Sequence, residues 1–427
     1  MSAATYLLGD VFEVMATMPD NSVDLILTSP PFLALRSYLP ADHPNKHKEI
    51  GSEPNPAEFI DTLLALTAEW DRLLAPHGSI AVELGDTYSG SGGAGGDYQQ
   101  GGMKAGQAKW TGTARSASEP AARMPTRQDR PDWPLDKSMC IIPHLYAASI
   151  AYGVNILTGE TSPAGRWRVR NVIAWCRPNP IVGALGDKLR PATSFMVIAT
   201  KSADRWFDGR AVRVPASPNT NARTAASVPK RDNTTKTPPG SGRGTLAIQH
   251  TSGHTRPPYD HVGLMPGEED LFDEDAWLIS PEAYSGSHYA TWPRRLLETP
   301  IESMCPREVC TQCGEPRRRL TESLHDKEQN ASIRASSGAG NLSRIDGGAH
   351  SFVPAEYKTI GWTDCGCNAA WRNGHILDPF GGSGTTAVVA TGHNRDCTLI
   401  DIDERNIDLA RQRVGMFLNT PEPEKAA

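Results

Sequence analysis

Residues 25–32 read LILTSPPF, an apolar run that ends in a hydroxyl, two prolines and an aromatic ring. Prolines stop a strand whatever else they do, so punctuation alone is the simplest account of the stretch. The residue types also suit a binding corner. Ser29 Oγ accepts hydrogen bonds, the Pro30 carbonyl is a second acceptor, and Pro31 has no N–H to place beside them. A residue that precedes proline is held in extended geometry, so Ser29 and Pro30 keep a fixed aim before any ligand arrives. Phe32 supplies a ring on which a flat ligand can stack.

A second group, HILDPFGGSGTTAVVA (375–390), places Gly381, Gly382 and Gly384 between a strand pattern and a helix pattern. Glycines there permit positive φ and let a ligand approach the backbone. Thr385 and Thr386 open a helix whose unpaired N–H groups face the loop. This suits the mononucleotide-binding half of a doubly wound fold, with the ligand beyond the strand's C-terminal end. The loop lacks the lysine of a phosphate-binding loop, and its glycine spacing is not the dinucleotide one. Taken alone, such a turn is equally a structural corner. Asp378 before the glycines and Asp401 closing the next strand (TLIDID) favour a nucleoside, with Asp401 placed to accept from ribose hydroxyls.

Four of the eight cysteines fall in two close pairs. Cys310 and Cys313 form a CxxCG knuckle, and Cys365 and Cys367 a CxC pair, which together suit tetrahedral thiolate binding of a structural zinc ion. A disulfide or unpaired thiols are the alternatives, since the CxC spacing is the less specific. Bound zinc would order a hairpin too small for its own core. Arg317–Arg319 beside it would be usable against phosphate, or would form only a solvated face. Cys140 and Cys176 lie in apolar contexts and read as core thiols.

The chain that must position these groups has 427 residues, enough for one large domain with insertions or two to three smaller ones. Hydrophobic residues make up 38%, with 39 Gly and 34 Pro, which predicts a core diluted by long loops. No apolar run approaches the ~18 residues of a membrane span, and the N-terminus lacks a signal-peptide layout. A soluble, cytoplasmic protein is expected. The net charge of -6 gives no bulk electrostatic case for nucleic-acid binding, so local patches must carry one. Eight cysteines in this length do not make a secreted disulfide scaffold.

The N-terminal stretch reads as strand (Tyr6–Leu8), helix (Phe12, Met15 and Met18 at helical spacing) and strand (Val23–Leu27). Phe59, Leu63, Leu66, Trp70 and Leu73 share one helix face; APHG (75–78) ends that helix, and SIAVEL (79–84) is the next strand. A helix over 137–153 precedes two strands, 170–177 and 194–201, and the last unit reads strand, loop, helix, strand, helix. Such alternation predicts an α/β fold with a largely parallel sheet. Weakly apolar stretches interrupt it: Gly-rich 89–130, and Arg210–Asp260 with eight Lys or Arg against two Asp. A short acidic patch (267–277) and a Ser/Gly-rich loop (322–352) follow.

DPFGGSGTT (378–386) resembles the S-adenosylmethionine loop of DNA amino-methyltransferases, and TSPPF (28–32) resembles their catalytic motif. The catalytic motif comes first and the cofactor loop last, which is similar to the β-class, a circularly permuted arrangement. LLGD (7–10) would then add a cofactor contact, with Asp10 near the adenine. HYATWPRRLLETPI (288–301) resembles the class's remaining cofactor motif, which packs over the methionine moiety. Segments 170–180 and 190–202 resemble its later catalytic-lobe strands. The resemblance covers most of the chain outside the insertions.

It implies a Rossmann-like methyltransferase: a doubly wound, mostly parallel sheet, circularly permuted, with long loop insertions and a small zinc-ribbon insert. It implies S-adenosylmethionine on Asp10, His288, Thr291, Pro293, Asp378, Pro379, Phe380, Gly381, Gly382, Gly384, Thr385, Thr386 and Asp401. Ser29, Pro30, Pro31 and Phe32 would hold a base flipped out of double-stranded DNA. The exocyclic amino nitrogen of a base is a poor nucleophile because its lone pair is conjugated into the ring. Acceptors that draw on both N–H bonds favour the tetrahedral nitrogen that attacks, with no covalent nucleophile needed. Within the family a Ser at this position goes more often with cytosine N4 and an Asp with adenine N6, so cytosine is favoured and adenine is the alternative. RNA or protein glutamine as substrate, and a non-catalytic DNA-binding protein with a relict fold, are the rival readings.

The expected organisation is a catalytic lobe over 1–88 and 131–204, divided by a flexible insertion at 89–130. A target-recognition region (205–285), a cofactor-motif segment (286–304), a zinc-ribbon insert (305–370) and a cofactor-binding lobe (371–420) follow. The implied setting is a bacterial or phage modification enzyme acting in the bacterial cytoplasm. A restriction endonuclease partner, and a monomer or homodimer as the working state, are left open.

Overall fold

The structure, a computed structural model, describes residues 2–35, 38–40, 42–89, 131–180, 188–212, 276–282, 292–323 and 357–421. All of the expected 89–130 insertion except Ser89, and most of the expected recognition region, lie outside them. The chain divides into two compact units. One is Met1–Val212, Phe272–Arg318 and Asp364–Ala427; the other is Arg213–Leu271 with Arg319–Thr363.

The first unit begins β1 (Ala4–Leu8), α1 (Val11–Thr17), β2 (Val23–Thr28), α2 (Pro56–Leu73) and β3 (Leu74–Leu84). It continues α3 (Ile142–Tyr152), β4 (Arg168–Cys176), β5 (Thr193–Thr200), β6 (Ala276–Leu278), α4 (Arg294–Met304) and β7 (Glu308–Cys310). In the second unit β8 (Arg319–Ser323) and β9 (Tyr357–Trp362) pair antiparallel. The first unit then closes with β10 (Trp371–Asn373), β11 (His375–Asp378), α5 (Thr385–Gly392), β12 (Asp396–Asp401), α6 (Arg405–Val414) and β13 (Leu418–Asn419).

Among the described residues, nine strands form one sheet in the order β13-β1-β12-β11-β2-β3-β5-β4-β6. Every pairing is parallel except those of β5, which runs against both β3 and β4. The expected doubly wound, mostly parallel sheet is therefore present. β2 is buried along its whole length. Its Val23 and Ile26 pack with the α2 face of Phe59, Leu63, Leu66 and Trp70, while Leu25 and Leu27 pack with Leu296, Leu297 and Ile301 of α4. A strand covered on both faces is what its unbroken apolar run calls for. α2 starts where the side chain of Asn55 accepts from Glu58 N at 2.9 Å, with Pro56 in the first turn.

One boundary differs from the sequence reading. APHG does not separate α2 from the next strand: β3 begins at Leu74, which pairs with Val23 before the register jumps to Leu25↔Ser79. The irregularity absorbs Ala75–Gly78 as a bulge and turns His77 Nε2 onto Asp24 Oδ1 at 2.9 Å. The ends of the expected recognition region also belong to the core unit. Trp206 is 2% exposed, and β6 adds a strand beside β4, because apolar Trp206 and Trp277 find burial there. Cys140 is buried as expected, whereas Cys176 is only half-buried at the end of β4. No described helix is long and apolar enough to cross a membrane.

Candidate active site

β1 lies beside β12 in register Leu8↔Asp401, although almost the whole chain separates them. Parallel pairing brings the C-terminal ends of β1, β12, β11, β2 and β3 to one edge, where open α/β sheets bind ligands. At that edge Thr28 Oγ1 donates to Asp378 Oδ1 at 2.7 Å, tying the Ser29 corner directly to the glycine loop.

Past Thr28, Ser29 is half-buried and Pro30 buried. Ser29 Oγ donates to Glu83 Oε2 at 2.6 Å. Glu83, next to last in β3, is 3% exposed, and its Oε1 has no hydrogen-bond partner. Burial pushes its carboxyl above the ordinary carboxylate range, opposed by hydrogen bonds from Ser194 and Ser29 and by the charge of Arg177. Arg177 itself stacks over Trp175 at 4.7 Å. Glu83 escaped the sequence reading; the available signal was one carboxylate in an otherwise apolar strand. Its effect is specific. The serine hydrogen is committed inward, which leaves the lone pairs of Oγ as the groups a ligand meets. The ring of Phe32 lies on Gly85, where an added Cβ would come within 3.1 Å of Cζ and nearer still to two other ring atoms.

The glycine loop is held from below. Asp378 is 2% exposed; its Oδ1 also accepts from Phe380 N at 3.1 Å, and its Oδ2 from Thr386 Oγ1 at 2.5 Å. This carboxylate braces the loop rather than facing outward, and burial raises its pKa to about 6. Gly384 opens α5 at φ +81°, and a Cβ there would meet Ala410 of α6 at 3.1 Å, so two requirements coincide on one glycine. Arg413, also missed in the sequence, binds Ser383 Oγ at 2.5 Å and Thr385 Oγ1 at 2.8 Å. Pro379 is buried and Phe380 half-buried against the core.

Asp401 Oδ2 accepts from Gly382 N at 2.8 Å, and Oδ1 from Asp403 N at 2.8 Å. Burial, assisted by the charge of Asp403, raises its pKa to about 6. Asp10 caps α1, accepting from Phe12 N at 3.0 Å and Glu13 N at 3.2 Å, while Gly9 N donates to the Asp401 carbonyl at 2.9 Å. Asp10, Gly381–Gly384 and Asp401 thus converge as the sequence order predicted. Pro293 caps α4. His288 and Thr291 lie outside the described residues.

Cys310, Cys313, Cys365 and Cys367 come together with their sulfurs within 4.8 Å of one another. The arginines beside them also make contacts within the fold. Arg317 stacks over Trp371 at 4.1 Å and pairs with Glu308 at 3.4 Å, and Arg318 lies 3.8 Å from Glu315. Arg319 belongs to the second unit, where it stacks over Trp362 at 4.7 Å.

The chain is 28% identical over 213 residues to the type II methyltransferase M.Cfr9I of Citrobacter freundii, a match covering 50% of this chain and 59% of that protein. With M.SmaI of Serratia marcescens it shares 20% identity over 408 residues, covering 96% of this chain and 89% of that one. The PvuII DNA methyltransferase, described as cytosine-N4-specific, aligns in three dimensions over 100% of this chain and 89% of its own, with a TM-score of 0.46 and 13% identity. The chain thus spans about 60% of the length of the curated relatives it first matches, 59% of M.Cfr9I and 60% of M.XycI from Xanthomonas campestris pv. cyanopsidis. Residues 23–309 and 367–412, which carry the Ser29 corner, Glu83, the glycine loop and Asp401, match the model of the N6/N4 DNA methylases, and the chain belongs to that family.

Proposed function

We propose that this chain transfers a methyl group from S-adenosylmethionine to the exocyclic amino group of a base flipped out of duplex DNA, and that the base is cytosine, methylated at N4. The observation that carries amino-group methylation is the Ser29–Glu83 hydrogen bond of 2.6 Å, while the choice of cytosine over adenine rests on the serine itself, through the family resemblance. The hydrogen bond fixes Ser29 Oγ as an acceptor beside the Pro30 carbonyl, and two acceptors are what an amino group with two N–H bonds presents itself to. The type II methyltransferase names of the relatives support a DNA-modification setting.

The residues present fit the cofactor. Leu8, 44% exposed, is in register with Asp401, so an apolar surface and a carboxylate lie side by side as a purine ribonucleoside needs. Asp10, Asp401, the Gly381–Gly384 loop and the α5 N-terminus would hold it, with Pro293 and, from outside the described residues, His288 and Thr291 completing the set. Bound there, S-adenosylmethionine supplies an electrophilic methyl group. Ser29 and Pro30 orient the amino nitrogen, and Phe32, seated on Gly85, stacks on the base. The methylated nitrogen must shed a proton. Ser29 Oγ can take it while passing its own hydrogen to Glu83, whose raised pKa suits it to receive one. No nucleophilic thiol enters this scheme.

Two expectations follow from this site. Gly85→Ala displaces the Phe32 ring and should weaken productive binding of DNA about tenfold, the scale of one lost base-stacking contact. Steady-state kinetics would show it as a raised KM for DNA with cofactor affinity unchanged. The second concerns pH. Because Asp401 titrates at about 6, its acceptor form disappears below that pH, and cofactor affinity should drop about tenfold from pH 7.5 to 5. The cofactor-free fold should respond in the opposite sense. Asp378 and Asp401 have pKa values raised from 3.8 to about 6, so the folded chain binds protons there before the unfolded chain does. Their contribution to stability therefore rises as pH falls from 7 towards 5. Calorimetric titration with S-adenosylmethionine checks the first trend and thermal melting the second; affinity that stays flat across this range removes Asp401 from the contact.

The reaction is tested by presenting methyl-labelled S-adenosylmethionine with unmethylated duplex DNA, RNA and protein in parallel. Label in the DNA alone is expected. Label confined to RNA or protein, or cofactor binding with no transfer, overturns the proposal.

A further inference from the structure

We infer that Cys310, Cys313, Cys365 and Cys367 bind one zinc ion in a closed structural site at the end of the sheet opposite Ser29. All four thiols are unbridged, and all four sulfurs lie within 4.8 Å of one another. A disulfide joins sulfurs in pairs at about 2 Å and gives no reason for two pairs to converge. Four thiolates around one ion at about 2.3 Å must converge in this way.

The backbone is turned for the same purpose. The amides of Gln312 and Cys313 point at Cys310 Sγ, and that of Cys367 at Cys365 Sγ. Gly314 at φ +72° and Gly366 at φ +75° shape the two turns, and each would meet nothing if given a Cβ. Their positive φ is therefore set by the turn itself and not by crowding. With four protein ligands no coordination position is left for substrate, so the ion holds structure and does no chemistry.

Its location tells what it holds. β7, which ends in Cys310, pairs antiparallel with β10 in register Cys310↔Trp371 and Val309↔Arg372. Arg372 reaches from β10 to Asp24, Nη1 to Oδ2 at 2.6 Å and Nη2 to Oδ1 at 3.1 Å. Asp24 is wholly buried near the start of β2. Ser29 lies five residues further along, about 16 Å away in extended chain. The metal knot therefore clamps the N-terminal end of the sheet through Arg372, away from the edge where the base and cofactor are proposed to bind.

The test needs neither DNA nor cofactor, so it stands or falls apart from the proposed reaction. Full-length protein from zinc-supplemented cells is assayed for metals by plasma mass spectrometry, and for thiols by mass under non-reducing conditions. One zinc per chain is expected. Titration with an organomercurial should release that zinc as the thiols are consumed and lower Tm by several degrees. Cys313→Ser with Cys367→Ser should abolish zinc retention; if that variant does not fold, cobalt in place of zinc should give the thiolate charge-transfer band of a tetrahedral site in the unmodified chain. Folded protein with under a fifth of an equivalent of zinc, iron in place of zinc, or cysteines joined as disulfides would each overturn the inference.

Discussion

A Ser29→Ala chain should bind S-adenosylmethionine as the unmodified chain does and transfer methyl groups to duplex DNA at least ~10²-fold more slowly, the scale of losing one preorganised polar group at the reacting centre. The substitution removes one of the two acceptors that localise the amino lone pair. It also strips Glu83 Oε2 of the hydroxyl that donates to it at 2.6 Å, next to an Oε1 that is already without a partner. Some loss of stability, about 1–3 kcal/mol, is therefore expected alongside the kinetic effect. Single-turnover measurement with saturating cofactor separates the two, since a merely destabilised chain that is still folded transfers at the normal rate. Ser29→Thr keeps the hydroxyl and should retain more activity than Ser29→Ala. Equal rates for Ser29→Ala and the unmodified chain would show that Oγ takes no part.

Arg372→Ala should destabilise the fold strongly, costing about 3 kcal/mol in urea unfolding. Breaking a buried ion pair by removing one partner typically costs 3–5 kcal/mol, and the lower end applies here because the guanidinium is about a third exposed. Asp24 is fully buried; burial alone would raise its carboxyl, but hydrogen bonds from His77 and Arg372 outweigh that and hold it below the ordinary range. His375 N adds a further bond at 2.8 Å. A lowered carboxyl pKa contributes stability at neutral pH that is lost as the pH falls through the lowered value. The gap between Arg372→Ala and the unmodified chain should accordingly narrow in strong acid. An unfolding midpoint at neutral pH matching that of the unmodified chain would mean that His77 and the His375 amide suffice.

What the sequence disclosed follows from the range of the forces involved. α2 was legible because Phe59, Leu63, Leu66 and Trp70 repeat at the period of a helix, a purely local signal. The glycine loop was legible because close packing and positive φ leave little choice of residue, as at Gly384. The order of motifs implied that Asp10 lies on the cofactor side despite its distance from Gly381 in sequence, and β1 does run beside β12 in register Leu8↔Asp401. Glu83 was hidden because its meaning lies in a partner 54 positions away. Asp24 was hidden more deeply still: Arg372 and the His375 amide are about 350 residues distant, and nothing local marks the carboxylate as paired. APHG looked like a helix stop ahead of the strand, and it is instead a bulge within that strand, held in the sheet by the pairing of Leu74 with Val23. Local punctuation could not reveal that partner.

The most direct measurement is of the product base. Unmethylated duplex DNA, amplified from a genome so that it contains many sequences, is incubated with the chain and methyl-labelled S-adenosylmethionine, digested to nucleosides, and separated by mass. Labelled N4-methyldeoxycytidine is the predicted product. Labelled N6-methyldeoxyadenosine would contradict the choice of cytosine, and no labelled nucleoside from a chain that binds the cofactor would contradict amino-group methylation of DNA itself.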